Sequence, residues 1–194
     1  MWIGLVGSEM CIRDRNIAEE FDYKIAAFHH AVEAYKIADL LADNNICAAL
    51  WADWWGFKHE AYDMSIANVA IVDQARNGQG CAIVHSDSEN GIQRLNQEAA
   101  KALSAGREAG FEISDARAIT WLTKNPAIAA GILEQTGTIE IGKNADIVVW
   151  SGHPLSVYSK ADQVYIDGAL TFDRLNNFMP HTDFDLGIEL WESE

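Results

Sequence analysis

The chain has no run of about 18 consecutive apolar residues, the length a helix needs to cross a bilayer, so nothing in it reads as a membrane span. It is also short of positive charge. Lys and Arg number 14 against 29 Asp and Glu, a formal net charge of −15, which argues against nucleic acid or an anionic membrane as partner. That imbalance names no substrate, because an acidic surface is commonly a solubility feature. Cysteine is scarce: Cys11, Cys47 and Cys81 are too far apart for metal-type spacing. Cys47 and Cys81 lie inside apolar runs and are expected to be buried structural thiols. There is no His-x-His. His59-Glu60 meets Asp63, not a second His, four residues after the first, so the zinc-protease helix pattern is excluded. A metal centre takes at least three protein ligands, and spacing alone supplies too few.

What the chain does have is 49% hydrophobic and 22% charged residues, a globular balance with enough length for one sizeable core and at most a small appendage. Three short apolar runs end abruptly in polar residues. Ile25-Ala26-Ala27-Phe28 leads into His29-His30, Ile46-Cys47-Ala48-Ala49-Leu50-Trp51 into Ala52-Asp53, and Cys81-Ala82-Ile83-Val84 into His85-Ser86-Asp87-Ser88. Each reads as a buried strand followed by a helix, and the C-terminal edge of such a sheet is where α/β enzymes build their sites.

Helical spacing follows each strand. Ala34, Ile37, Leu40 and Leu41 mark one helix, stopped by Asn44-Asn45. Residues 66–75 mark a second, with Ile66, Val69 and Ala70 on one face, and Asn77-Gly78-Gln79-Gly80 turns into the third strand. Residues 92–105 form a third helix, expected to stop at Gly106. Ser114-Asp115 caps another over 116–124, broken at Asn125-Pro126, with a short helix to Gly131. Composition then changes to a small β module. Residues 145–150 form a strand, and Asp167-Gly168 between Gln163-Val164-Tyr165-Ile166 and Ala169-Leu170-Thr171-Phe172 marks a type I′ hairpin. No internal repeat is present.

The segments are therefore residues 1–15, 16–132, 133–178 and an acidic tail, 179–194. The string Gly7-Ser8-Glu9-Met10-Cys11-Ile12-Arg13-Asp14-Arg15 reads as translated sequencing-adapter sequence, so residues 1–15 are set aside as a non-native leader and the chain is expected to be truncated.

Asp87 can bind a divalent metal or take a proton from water, and it can equally cap the helix that begins near Asn90. His85 lies two residues before it, on the same face if the strand persists. His29 and His30 alternate on a strand, so at most one of them points into a shared site. Trp54, in the loop Trp54-Trp55-Gly56-Phe57, either lines a pocket or covers the sheet edge. Asp53, His59 and His153 are weaker candidates, His153 because it sits in a Gly-His-Pro turn, and His181 belongs to the tail.

Two segments together resemble the C-terminal portion of a metal-dependent amidohydrolase of the imidazolonepropionase type. One is Phe28-His29-His30-Ala31-Val32-Glu33-Ala34-Tyr35-Lys36. The other runs from Ile83-Val84-His85-Ser86-Asp87-Ser88 through Thr123-Lys124-Asn125-Pro126-Ala127 to Gly137-Thr138-Ile139-Glu140-Ile141-Gly142-Lys143-Asn144-Ala145-Asp146. The resemblance implies an α/β fold: the C-terminal part of a (β/α)8 TIM-like barrel over residues 16–132, plus part of a small β-sandwich domain over 133–178. It implies hydrolysis of C–N bonds in cyclic amide or amide-like small molecules, with a divalent metal, zinc, as cofactor.

By the same resemblance Asp87 is metal ligand and catalytic proton carrier and His30 is a second metal ligand; His85, which stands where many relatives have a small or aliphatic residue, and Trp54 are expected from their places after the strands to bind substrate. The family's first-strand His-x-His is missing, so this chain alone is expected to be inactive. It is also expected to self-associate through exposed barrel edges. A dipeptidase-like activity and a non-catalytic binding module on the same scaffold are the alternatives. Compartment is not legible in the residues, and the resemblance to exported bacterial members hints at the periplasm.

Overall fold

A computed structural model describes residues 6–56 and 59–176. Three strands, β1 (Ala27–Phe28), β2 (Cys47–Leu50) and β3 (Ala82–Val84), form a parallel sheet in the order β1-β2-β3. Parallel neighbours need a crossover. A 3-10 turn at Ala34–Ile37 with helix α2 (Ala38–Asp43) makes the first, and α3 (Asn68–Gly78) makes the second. The helical spacing after β1 is thus divided at Ile37, whose φ of −128° leaves the helical region. Ile66 precedes α3 and is exposed, whereas Val69 and Ala70 are fully buried as expected.

Both faces of the sheet are covered, which is why its strands read as near-continuous apolar runs. Ala48, Leu50, Ala82 and Val84 pack on Leu41, Val69, Val72, Ala99, Leu103 and Trp121. Cys47, Ala49 and Ile83 point the other way, against Ala27 and Ala129. The period of two therefore holds within each strand even though no polar residue marks it.

That register overturns the expectation of free thiols at Cys47 and Cys81. Ala48 pairs with Ala82, so the residues before them are lateral neighbours, and Cys47 and Cys81 form a disulfide with Cα atoms 4.5 Å apart. Their sequence separation of 34 hides the contact in the sequence.

Helix α4 (Leu95–Glu108) runs through Gly106 where a stop was expected. The glycine is there for packing: a Cβ at Gly106 would lie 2.6 Å from the Cβ of Ala70 on α3. Ser114 caps α5 (Asp115–Thr120) as expected, its hydroxyl accepting the Arg117 N–H at 3.1 Å. The next helix, α6 (Lys124–Ala129), includes Asn125-Pro126 in its first turn, where proline is tolerated. Asn125 is buried and donates through Nδ2 to the Ala82 carbonyl at 2.7 Å, tying α6 to β3.

The β module is an antiparallel meander of β4 (Ile147–Trp150), β5 (Ala161–Ile166) and β6 (Ala169–Asp173). Asp167 and Gly168 both take positive φ, 51° and 78°, as a type I′ turn requires. Asp146 accepts hydrogen bonds from Asp167 N and the Thr136 hydroxyl, which gives the Ala-Asp of the return segment a structural task. Among the described residues these strands make one sheet, without the facing sheet a sandwich needs.

Helix α1 (Val6–Glu20) crosses the boundary drawn at residue 15 without a break and buries both Cys11 and Ala18. Phe57, His181 and the acidic tail lie outside the described residues.

Candidate active site

Asp87 and His30 meet at the C-terminal edge of the parallel sheet. The Asp87 carboxylate lies 3.7 Å from His30 Nδ1, within ion-pair range and longer than a hydrogen bond, and both side chains are partly open to solvent. Each residue sits in the left-handed region, φ 50° for Asp87 and 56° for His30. Such conformations are uncommon for residues with a Cβ and cluster at functional sites.

The alternation expected for His29 and His30 does not apply, because β1 ends at Phe28. Beyond the strand the positive φ at His30 turns the chain, and both rings approach His85, with centroids 6.3 Å away for His29 and 5.2 Å for His30. His85 and Asp87 likewise lie past the end of β3. His85 stays in the ladder, its N–H donating to the Leu50 carbonyl at 3.0 Å, and its ring stacks on Trp51 at 5.0 Å. Burial first, and then the neighbouring His30, push the His85 imidazole down to about 4, so it is neutral at pH 7. Its Nε2 is buried with no hydrogen-bond partner among the described residues.

Asp87 does not cap the following turn. That task falls to Ser88, whose Oγ accepts from Asn90 N and Gly91 N at 3.3 and 3.2 Å. On the β1 side, Asn68 is buried and holds the segment after His30. Its Nδ2 donates to the carbonyls of Ala31 and Val32 at 3.3 and 3.0 Å, and its Oδ1 accepts Tyr35 N at 2.9 Å. Asn68 and Trp51 went unmarked in the sequence. The register could have pointed to Trp51, since Leu50 pairs with Val84 and the next residues on the two strands are Trp51 and His85.

Trp54 stacks on Trp51, with centroids 5.9 Å apart and an interplanar angle of 5°. It packs against the small cluster of Val32, Trp51, Ala61 and Met64. Asp53 is directed instead to Lys101 Nζ at 2.8 Å. His153 lies in the β4–β5 loop, where its Nε2 meets Asp115 at 3.0 Å, and His59 begins a 3-10 turn. A groove of about 770 Å³ between α2 and α3, lined by Leu40, Ile71 and Phe111, includes none of the His–Asp cluster.

The test of the implied metal is the donor set. Among the described residues no group of three His, Cys, Asp or Glu side chains is placed to hold a metal ion. His30 and Asp87 offer two donors where a centre takes three or four. They do not make a metal site by themselves.

The amidohydrolase family's sequence profile matches residues 67–175. Amidohydrolase tasK of Hapsidospora irregularis is 32% identical over 161 residues, covering 80% of this chain and 16% of that protein. Imidazolonepropionase of Brucella suis is 48% identical over 40 residues, 21% of this chain and 10% of its own length. The crystal structure of an amidohydrolase from Thermotoga maritima MSB8 superposes with a TM-score of 0.71 at 32% identity, over 84% of this chain and 41% of that one. The chain thus spans less than half the length of these relatives. Their likeness implies a scaffold of the TIM-barrel type, of which the described residues form a partial α/β unit. The chain belongs to the amidohydrolase family.

Proposed function

We propose that this chain is the C-terminal portion of a metal-dependent hydrolase that cleaves C–N bonds in cyclic amide or amide-like small molecules. The observation that carries the reading is the Asp87–His30 pair at the C-terminal edge of the parallel sheet. In this reading β1, β2 and β3 are the last strands of a (β/α)8 barrel, and β4–β6 are part of a sandwich completed by another segment.

Asp87 accepts the proton of the attacking water as its oxygen adds to the carbonyl carbon, then passes that proton to the departing nitrogen. The C–N bond breaks and leaves a carboxyl group and an amine or amide. His30, 3.7 Å away, orients the carboxylate. His85 is neutral and, with its Nε2 buried and its ring stacked on Trp51, gives the substrate an apolar ring edge. Trp54 gives the substrate a flat wall. A divalent metal, zinc by the resemblance, would take Asp87 and His30 among its ligands and supply Lewis-acid activation, with its other ligands from segments the relatives have and this chain does not span.

The short match to imidazolonepropionase supports ring opening over dipeptide cleavage. The Cys47–Cys81 disulfide supports an oxidising compartment, in line with the periplasm. Among the described residues β1 and β3 are each paired on one side, the basis for self-association.

The test is hydrolysis of imidazolone, N-acyl amine and dipeptide panels by two proteins: residues 1–194 alone, and the full-length protein carrying this segment. We expect activity only in the latter. Amide hydrolysis by 1–194 with stoichiometric zinc would contradict the need for further ligands. No hydrolysis by the full-length protein on any panel would favour a binding module.

A further inference from the structure

Trp51 is the first residue after β2 and one of the largest fully buried side chains, 2% exposed. Its indole system meets both histidines of the site, His30 at 4.8 Å and His85 at 5.0 Å between ring centroids. Its Nε1–H donates to the Ser86 carbonyl at 3.2 Å. That carbonyl belongs to the peptide joining Ser86 to Asp87, so the bond fixes the plane from which the Asp87 φ of 50° is measured. Asp enters the left-handed region more readily than most residues with a Cβ, and here the Trp51 bond holds the peptide that precedes it. A single side chain from the middle strand therefore touches the polar ends of both outer strands.

We propose that Trp51 is the positioning residue of this site. Its ring sets the orientation of His30 and His85, and its N–H sets the peptide that aims Asp87, so the His30–Asp87 separation depends on Trp51 from both sides. A plain core residue would fill the same space without needing the N–H. Met64 is such a residue: it is buried in the same small cluster as Trp51 and serves as the control. The kinetic part of this inference rests on the hydrolase reading, and the geometric part does not.

The geometric test is NMR on the isotopically labelled 1–194 chain. In the unsubstituted protein the Trp51 indole N–H is expected to resist solvent exchange and to show nuclear Overhauser contacts to the ring protons of both His30 and His85. An indole N–H exchanging as fast as that of exposed Trp55 would overturn the proposal, whether or not any variant folds. Trp51→Phe, which keeps a ring and loses the N–H, is expected to shift the Asp87 amide and the His30 ring resonances. Met64→Ala is expected to lower the melting temperature and leave both in place. Equal shifts from the two variants, or none from Trp51→Phe, would also overturn it.

In the full-length protein Trp51→Phe should lower kcat by about a hundredfold, the scale of a small misplacement of reacting groups, with KM changed little. A loss confined to KM would contradict the positioning role. Absence of hydrolysis in the unsubstituted full-length protein would count against the proposed activity and leave the NMR result to decide for Trp51.

Discussion

Asp73 is fully buried and takes a 2.8 Å hydrogen bond from Arg117 Nε, 44 residues away on α5. The same carboxylate oxygen accepts from the Trp121 indole at 2.8 Å, and Arg117 reaches on to the carbonyls of Gly78 and Gly80. The network ties α3, the turn into β3 and α5 together at the end of the sheet opposite the His–Asp pair. Arg117 is partly exposed, so removing Asp73 chiefly leaves the buried Trp121 indole N–H without its acceptor, which costs about 1–3 kcal/mol. Asp73→Ala should lower the urea midpoint accordingly, while Asp73→Asn, which keeps an acceptor, should lower it less. A midpoint unchanged by Asp73→Ala would show the network to be idle.

The cysteine arrangement gives a direct count. Cys47 and Cys81 are bonded and Cys11 is buried, so the native chain should show no readily titratable thiol. Denaturant alone should reveal one thiol, and denaturant with reductant all three. Three thiols without reductant would contradict the disulfide. Closing a loop across a separation of 34 residues stabilises by about 4 kcal/mol in the chain-entropy account, so reduction should also lower the melting temperature.

Burial, and then the charge of Asp14, push the Cys11 thiol up to about 11 from its ordinary 9.0. Between these values the native chain keeps a proton that the unfolded chain releases. Stability from this group is therefore present below pH 9 and lost as pH rises toward 11. Melting temperatures from pH 8 to 11 should fall more steeply for the unsubstituted chain than for Cys11→Ala. Parallel curves would show that the thiol does not titrate differently in the folded state.

Gly106 tests the packing of α4 on α3. Alanine at a helix interior is normally favoured over glycine by about 1 kcal/mol. Here its Cβ would stand 2.6 Å from that of Ala70, and overpacking costs about 1–3 kcal/mol. Gly106→Ala should destabilise the chain, and Ala70→Gly should relieve part of the loss. A stabilised Gly106→Ala would mean the helices separate freely.

The parts of the fold legible in the sequence were those written locally. The apolar runs ending at His29, Trp51 and His85 marked the strand ends, Ser114 marked a cap, and Asp167-Gly168 marked the hairpin. The contacts that were not legible depend on register. Cys47 meets Cys81 only because Ala48 pairs with Ala82, and Asp73 finds Arg117 only once α4 has brought α5 near α3. The His29–His30 alternation failed because β1 stops at Phe28 and φ turns positive two residues later. At the site, the nearness of Asp87 to His30 came from family resemblance rather than from spacing. Trp51 was hidden because a tryptophan at the end of an apolar run looks like core whether or not it holds anything in place.

Asp87 is proposed above as the proton carrier of a C–N hydrolase. The most direct measurement is kcat/KM for the full-length protein and its Asp87→Asn variant, alongside their melting temperatures. Loss of a general acid–base group predicts a fall of about 10²–10⁴-fold, with folding intact. A variant that folds and keeps kcat/KM within about twofold of the unsubstituted enzyme would contradict the account, since no transition-state contact would then have been lost.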